Sequence, residues 1–190
     1  MKKVFALVML IVFTFAACGE PPAPGSSEAG AGISDSAGNT VELPEDPKVV
    51  CLYGSYAQAW LLAGGKLVGV TDDAVSDREL DVGEAEIVGT VKEPNAEAII
   101  ALDPDLVIFS EDIVPQTEMV DVLTGAGIPC SGYRVDTFED YAGMMKDFCE
   151  MNAREDLIGE YVDKPRKQIE SAREAYGFKE DGPRVLLIRA

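Results

Sequence analysis

The stretch that spans residues 88–112, VGTVKEPNAEAIIALDPDLVIFSED, decides the fold of this chain. Its first half is a glycine-containing loop, followed by an Asn95 that is well suited to cap a short helix with apolar residues on one side. Asp103-Pro104 then ends the helix, because the residue before a proline avoids helical backbone angles. The first half therefore predicts a loop, a short helix and a tight turn.

The second half of the stretch is an apolar run from Leu106 to Phe109, typical of a strand that is buried on both faces. Ser110, Glu111 and Asp112 follow it directly. In an open α/β sheet, the residues beyond the carboxyl ends of the strands face the ligand. The second half therefore predicts a buried strand that brings polar residues to a binding edge.

The same alternation of strand and helix patterns continues on both sides. Helix starts are indicated by Ser55 as an N-cap, by Pro115 at a first helical position, and by Thr137 with Asp140 as a capping box. The pattern predicts an α/β fold, a Rossmann-like parallel sheet flanked by helices. Apolar runs predict its further strands at residues 48–53, 67–71 and 128–132, behind a small hairpin at residues 33–43. The acidic segment 72–86 is interpreted as a surface loop with room for one helical turn.

The motifs of the central stretch carry a family resemblance. Gly89, the helix start Pro94-Asn95-x-Glu97 and the run LxPDLVI over residues 102–108 resemble class III substrate-binding lipoproteins of ABC importers for ferric siderophores, haem and cobalamin. The resemblance implies an N-terminal lobe over residues 33–152 and an interlobe connector helix over 153–177. It also implies that residues 178–190 begin a second lobe, so that the sequence stops after the first lobe. Pro165 is expected to bend or split the connector.

The N-terminus predicts export and a membrane anchor. Residues 1–17 combine a positive start with a short apolar run, which is typical of a signal peptide. Phe15-Ala16-Ala17-Cys18 resembles a bacterial lipobox, in which Cys18 is lipidated. Residues 18–32 are then a flexible tether, and the protein is anchored to the outer face of the cytoplasmic membrane. The alternative is an ordinary signal peptide with a chance cysteine, against which the Gly-, Pro- and Ser-rich tether argues.

Composition excludes several functions. A formal net charge of −18 lacks the basic footprint that nucleic acid requires, so no nucleic-acid partner is expected. The chain has no histidine, hence no imidazole metal site and no His-ligated haem. Without histidine, a nucleophile elbow or a phosphate loop it is not expected to be an enzyme, and no cofactor is predicted. Cys51, Cys130 and Cys149 are interpreted as small buried hydrophobes, although neighbouring strands would allow a Cys51–Cys130 disulfide.

The predicted binding site combines strand-end loops with the chemistry that the resemblance implies. Ferric chelates are large and partly aromatic or anionic, so their sites need tyrosine faces and cationic groups. The predicted ligand-binding residues are Tyr53, Ser55, Tyr56, Lys92, Ser110, Tyr133 and Arg134. The alternative for each of these residues is an ordinary structural role, with Tyr53, like Trp60, packed in the core and Arg134 a surface charge.

Glu97 has two interpretations. The resemblance implies a salt bridge to arginines of the permease subunits, whereas the helix dipole alone would favour a glutamate in the first turn. The sequence thus predicts the extracytoplasmic binding component of an ABC transporter that captures a ferric siderophore or a similar iron chelate and delivers it to the permease. The alternatives are a cobalamin- or haem-binding protein of the same fold, and a surface-anchored interaction module without a transport ligand.

Overall fold

The computed structural model of the chain describes residues 32–34 and 40–177, with side chains from residue 40 onward. Strands β1 (Gly32–Ser34) and β2 (Thr40–Glu42) pair in antiparallel orientation, as predicted for the hairpin. The predicted signal peptide, Cys18, the predicted tether up to residue 31, the hairpin turn and the predicted start of a second lobe lie outside the described residues. No helix among the described residues is both long and apolar enough to span a membrane.

A five-stranded sheet forms the centre of the fold, and all of its strands are parallel. The strands are β3 (Val49–Cys51), β4 (Gly69–Val70), β5 (Glu86–Ile87), β6 (Leu106–Ser110) and β7 (Cys130–Tyr133). Their order is β5-β4-β3-β6-β7, so the direction of winding reverses between β3 and β6. The predicted Rossmann-like sheet is confirmed. Strand β5 was not predicted, because its two residues are exposed and leave no apolar run.

Helices connect the strands and cover both faces of the sheet. Three predicted helix starts are confirmed: Asn95 Oδ1 accepts the N–H of Ala98 at 3.1 Å, Pro115 lies in a first turn, and Thr137 and Asp140 form a capping box. The acidic segment contains a single short helix, as its interpretation allowed. The helices are α1 (Gly54–Leu62), α2 (Asp73–Ser76), α3 (Ala96–Ala101), α4 (Val114–Gly125), α5 (Phe138–Met151) and α6 (Lys164–Tyr176).

The prediction of Ser55 as an N-cap was wrong. Helix α1 begins at Gly54 with Tyr53 as its N-cap, two residues earlier than a Ser55 cap implies, so Ser55 lies inside the helix, where its hydroxyl accepts a hydrogen bond from Arg78. The N–H of Gly54 is bonded instead by the carboxylate of Asp73, which comes from α2. A distant residue therefore replaces the local cap.

The core lies in two layers, one on each face of the sheet. Cys51 and Cys130 belong to different layers, since they pair in register with Ile108 and Val107, which are neighbours on β6 and point to opposite faces. The strands of the two cysteines are also separated by β6, so the disulfide is excluded. Both thiols are buried and outside any disulfide, as is that of Cys149, which confirms their interpretation as small buried hydrophobes.

The segment before α6 is irregular. A 3₁₀ turn at Glu155–Leu157 and a π turn at Gly159–Asp163 precede α6, whose first turn contains Pro165. The backbone angles of Ile158, Asp163 and Lys164 are all right-handed helical, so the π turn continues into α6 without a break. The irregularity expected near Pro165 is therefore a π turn just before the proline, and the helix is not split there.

Candidate ligand-binding site

A cleft of about 660 Å³ opens at the carboxyl ends of β3 and β6, where the winding of the sheet reverses. Ligands of open α/β sheets bind at this place, because the loops on its two sides diverge and leave a crevice. Aromatic, hydroxyl, apolar and charged groups all face the cleft. Its lining residues are Tyr53, Ser55, Tyr56, Val91, Lys92, Ser110, Asp112, Ile113, Val114, Pro115, Val135 and Asp136.

Most of the predicted ligand-binding residues meet in this cleft. They come from three separate segments: the start of α1, the loop between β5 and α3, and the end of β6. The parallel topology brings these segments to one edge of the sheet, as the sequence predicted. The residues concerned are Tyr53, Ser55, Tyr56, Lys92 and Ser110.

The other two predicted residues lie beside the cleft and do not line it. The ring of Tyr133 packs edge-on against Phe148, with the ring centres 5.2 Å apart, and burial raises the pKa of its phenol. Its carbonyl oxygen accepts a hydrogen bond of 3.0 Å from the hydroxyl of Tyr56, so Tyr133 supports the wall of the cleft. Arg134 forms an ion pair of 2.8 Å with Asp112, which does line the cleft.

Two tyrosines form the aromatic wall of the cleft. The rings of Tyr53 and Tyr56 meet edge to face, with centres 5.2 Å apart and planes at 85°. Tyr56 is only 4% exposed, and burial raises the pKa of its phenol, so its hydroxyl is neutral at physiological pH. Tyr53, the less buried of the two, offers ring surface for stacking, whereas Tyr56 supports it from behind and donates its hydroxyl hydrogen bond to the carbonyl of Tyr133.

The aromatic packing continues from this wall into the core. Beyond Tyr133, the ring of Phe148 contacts Trp60 edge-on, with the ring centres 5.3 Å apart. Trp60 is fully buried, and its indole N–H donates a hydrogen bond of 2.8 Å to the carbonyl of Lys66. The interpretation of Trp60 as core packing is therefore confirmed.

Gln116, on α4, joins the segments of the cleft and was missed in the sequence. Its Nε2 donates hydrogen bonds to the carbonyl oxygens of Leu52 (2.6 Å) and Val91 (3.1 Å), and its Oε1 accepts one from the N–H of Ser110 (2.9 Å). A signal was present, because Gln116 stands seven residues before the buried Leu123 and hence on the same helix face. A polar residue on an inward helix face indicates a buried hydrogen-bond network.

Arg78 is a second residue that the sequence did not identify. Its guanidinium donates hydrogen bonds to the hydroxyl of Ser55 and, at 3.0 Å, to the side-chain oxygen of Gln58. It lines a shallower depression of about 520 Å³ that shares Tyr53 and Val91 with the cleft. Arg78 lies in the acidic segment 72–86, which has no periodicity from which its contact with α1 could be predicted.

Glu97 lies in the first turn of α3 and is exposed to solvent. Asn95 caps the same helix, so the backbone that carries Glu97 is fixed by a local hydrogen bond. Within residues 40–177, no group of three or more cysteine, aspartate or glutamate side chains is arranged to hold a metal ion.

Comparison with known proteins identifies the family. Residues 49–190 match the sequence model of a family described as periplasmic binding protein. The chain belongs to the periplasmic binding protein family. The resemblance stated from the motifs of the central stretch is thereby confirmed. In this periplasmic binding protein, the matched region includes every cleft residue named above. No curated protein matches the sequence.

Solved structures share the fold at low sequence identity. The siderophore-binding protein BauB, solved with two acinetobactin molecules and ferric iron, has a TM-score of 0.64 at 17% identity, over 78% of this chain and 55% of BauB. SirA of Staphylococcus aureus, solved with staphyloferrin B, has a TM-score of 0.58 at 23% identity, over 77% of this chain and 51% of SirA. The haem-binding protein HmuT has a TM-score of 0.56 at 23% identity, over 76% and 47% of the two chains. This periplasmic binding protein sequence thus spans about half the length of the structures that it matches.

Proposed function

We propose that this chain acts in the extracytoplasmic substrate-binding component of an ABC transporter, captures a ferric siderophore or a similar iron chelate, and delivers it to the permease. The observation that carries the proposal is the cleft at the switch point of the sheet, where the Tyr53–Tyr56 pair faces the same space as Lys92 and Ser110. The proposal assigns no catalytic step to the chain.

The chemistry of the cleft supports a large chelate as its ligand. A volume of about 660 Å³ lies within the range of small-molecule sites, which are mostly apolar with a few polar groups that orient the ligand. The Tyr53 ring provides stacking surface, Lys92 provides a positive charge for an anionic donor group, and Ser55 provides a hydroxyl. BauB and SirA, which have the same fold, were solved with siderophores.

Delivery requires an anchored protein and a docking contact. In this proposal Cys18 carries the lipid anchor on the outer face of the membrane, and Glu97 pairs with an arginine of the permease. The exposure of Glu97 on a capped helix supports this role, because a docking charge must be accessible and held in place.

Fluorescence titration of the chain from Gly19 onward tests the proposal. The panel contains ferric siderophores of several classes, haem and cobalamin. Because the chain spans about half the length of its relatives, the titrations extend into the high micromolar range. We expect saturable quenching by one ferric chelate, which Tyr53→Ala abolishes and Lys92→Ala weakens. Tyr176→Ala is the matched control, since Tyr176 is 90% exposed at the end of α6.

The other outcomes are equally informative. Equal quenching in wild type and Tyr53→Ala would show that the chelate binds outside the cleft. Preference for haem or cobalamin would contradict a ferric siderophore as the ligand but would support the role as a binding protein. A folded chain that binds nothing in the panel would overturn the proposal in favour of a surface-anchored interaction module.

A further inference from the structure

We propose that Gln116 is the positioning residue of the cleft: it holds the three segments that form the site in one fixed arrangement. The inference rests on the proposed function of the cleft as a ligand site. Gln116 is 1% exposed and does not line the cleft, so it acts through the backbone that it binds.

Each hydrogen bond of Gln116 ends at a different part of the cleft. The carbonyl of Leu52 precedes Tyr53, which begins the α1 side, and the carbonyl of Val91 precedes Lys92. The N–H of Ser110 belongs to a residue that itself lines the cleft. One side chain thus fixes the backbone beside an aromatic ring, a cation and a hydroxyl.

Glutamine suits this position because the three bonds require two donors and one acceptor. A glutamate has the same length, yet its carboxylate offers no N–H to the two carbonyl oxygens. A methionine has a similar volume and neither donor nor strong acceptor. Methionine leaves all three backbone groups without their partner, whereas glutamate can still accept from the Ser110 N–H and leaves only the two carbonyl oxygens unpaired. In both variants the loss favours opening of the loops toward water.

The alternative is that Gln116 merely attaches α4 to the sheet. That role already has a separate residue, because Leu123 of the same helix is 1% exposed and packs in the core layer with Ile99 and Val107. Loss of Leu123 is expected to lower stability, but it removes none of the side-chain hydrogen bonds that reach the three segments. Leu123→Ala is therefore the matched control for a structural effect.

Native-state amide hydrogen exchange of the chain from Gly19 tests the inference without any ligand. In Gln116→Met we expect the Ser110 amide and residues 89–93 to exchange about ten-fold faster than the change in global stability explains. In Leu123→Ala we expect exchange to rise by a similar factor at all core amides. Unchanged exchange at Ser110 and residues 89–93 in Gln116→Met, or the same local pattern in Leu123→Ala, would overturn the inference.

Ligand titration gives the second measurement. We expect Gln116→Met and Gln116→Glu to weaken binding of the chelate at least ten-fold, whereas Leu123→Ala stays within about two-fold while folded. Equal affinities in the Gln116 variants and wild type would contradict a positioning role. If Gln116→Met fails to fold, Gln116→Asn gives the same comparison with one methylene fewer. Failure of the proposed function is distinguishable, because wild type would then bind nothing while the exchange pattern would persist.

Discussion

The carboxylate of Asp73, on α2, accepts a hydrogen bond of 2.8 Å from the backbone N–H of Gly54 at the start of α1. Its second oxygen accepts a hydrogen bond of 2.7 Å from the buried hydroxyl of Thr71. A negative charge thus already occupies the positive end of the α1 dipole. An anionic ligand in the neighbouring cleft therefore depends on Lys92 and the loops more than on this helix end.

Removal of this remote cap is expected to destabilise the fold. Asp73→Ala leaves the N–H of Gly54 and the hydroxyl of Thr71 without their acceptor, so we expect a loss of about 1–2 kcal/mol in the free energy of unfolding, measured with urea. Asp77→Ala is the control, because within the described part of the chain the Asp77 carboxylate accepts a hydrogen bond only from the exposed Ser76 hydroxyl. Equal losses in the two variants would contradict the capping role.

Gly89 is expected to tolerate no side chain. Its φ is +111°, and an added Cβ would lie 2.5 Å from the carbonyl oxygen of Glu93. Gly89→Ala should therefore cost about 1–3 kcal/mol in thermal unfolding experiments. Gly143→Ala, on α5 with open space around it, should instead stabilise by about 0.5–1 kcal/mol. A neutral Gly89→Ala would show that the loop before α3 can relax.

The capping box of α5 makes stability depend on acidic pH. Hydrogen bonds from the Thr137 side chain and backbone lower the pKa of Asp140 below its ordinary 3.8. As the pH falls, Asp140 therefore binds a proton in the unfolded chain before it does so in the folded chain. The stabilisation that the capping box provides is complete above about pH 4 and is lost as the pH falls through the pKa of Asp140 in the folded chain. We expect Thr137→Ala to flatten the fall in stability below pH 4, as measured by urea unfolding at several pH values. Thr117→Ala should leave the slope unchanged, because among residues 40–177 the Thr117 hydroxyl donates only to the carbonyl of Val114.

Asp112 is expected to oppose anionic ligands. Its carboxylate lines the cleft and holds Arg134 in an ion pair of 2.8 Å. Asp112→Asn removes a negative charge and releases the guanidinium, so an anionic chelate should bind about three- to ten-fold more tightly at low salt. The gain should shrink in high salt. It should be smaller, but still present, when Asp112→Asn is introduced into Arg134→Ala, because the repulsive carboxylate is removed while no guanidinium is released. Asp121→Asn, on α4 outside the cleft, is the control. Weaker binding in Asp112→Asn would contradict an anionic ligand.

Glu97 is expected to affect delivery and not capture. Glu97→Ala should leave the titration of the chelate unchanged, because Glu97 does not line the cleft. Under the proposed function, uptake of radioactive iron by cells that also express the permease should fall several-fold, since the proposed docking charge is lost. Glu118→Ala, an exposed glutamate of α4, provides the comparison. Normal uptake with Glu97→Ala would contradict the docking role, and the favourable interaction of Glu97 with the dipole of α3 would be its remaining function.

Local signals predicted the fold well, because the decisive interactions are local. Asn95 and Thr137 cap helices through bonds to residues three positions away, and the apolar run of β6 is buried over its full length. The N-cap at Ser55 was predicted wrongly for the opposite reason, since Asp73 lies nineteen residues from Gly54 in the chain.

In the candidate site, too, local patterns predicted some features and distant contacts determine the others. Strand ends predicted which loops meet at the cleft, and five of the seven predicted ligand-binding residues line it. The side on which Tyr133 lies could not be predicted, because its ring direction depends on packing against Phe148. The three bonds of Gln116 join positions up to 64 residues apart, which no local pattern encodes.

The π turn at Gly159–Asp163 has a consequence for what α6 presents to its surroundings. Arg166 follows this turn by a few residues, pairs through its guanidinium with both carboxylate oxygens of Glu139, and lies 5.0 Å from the centre of the Phe138 ring. Each residue added to or removed from a helix rotates everything beyond it by about 100°. The π turn therefore determines which face of α6 is turned toward α5. Removal of one residue from this turn would rotate Arg166 away from α5 and turn a different face of α6 toward it.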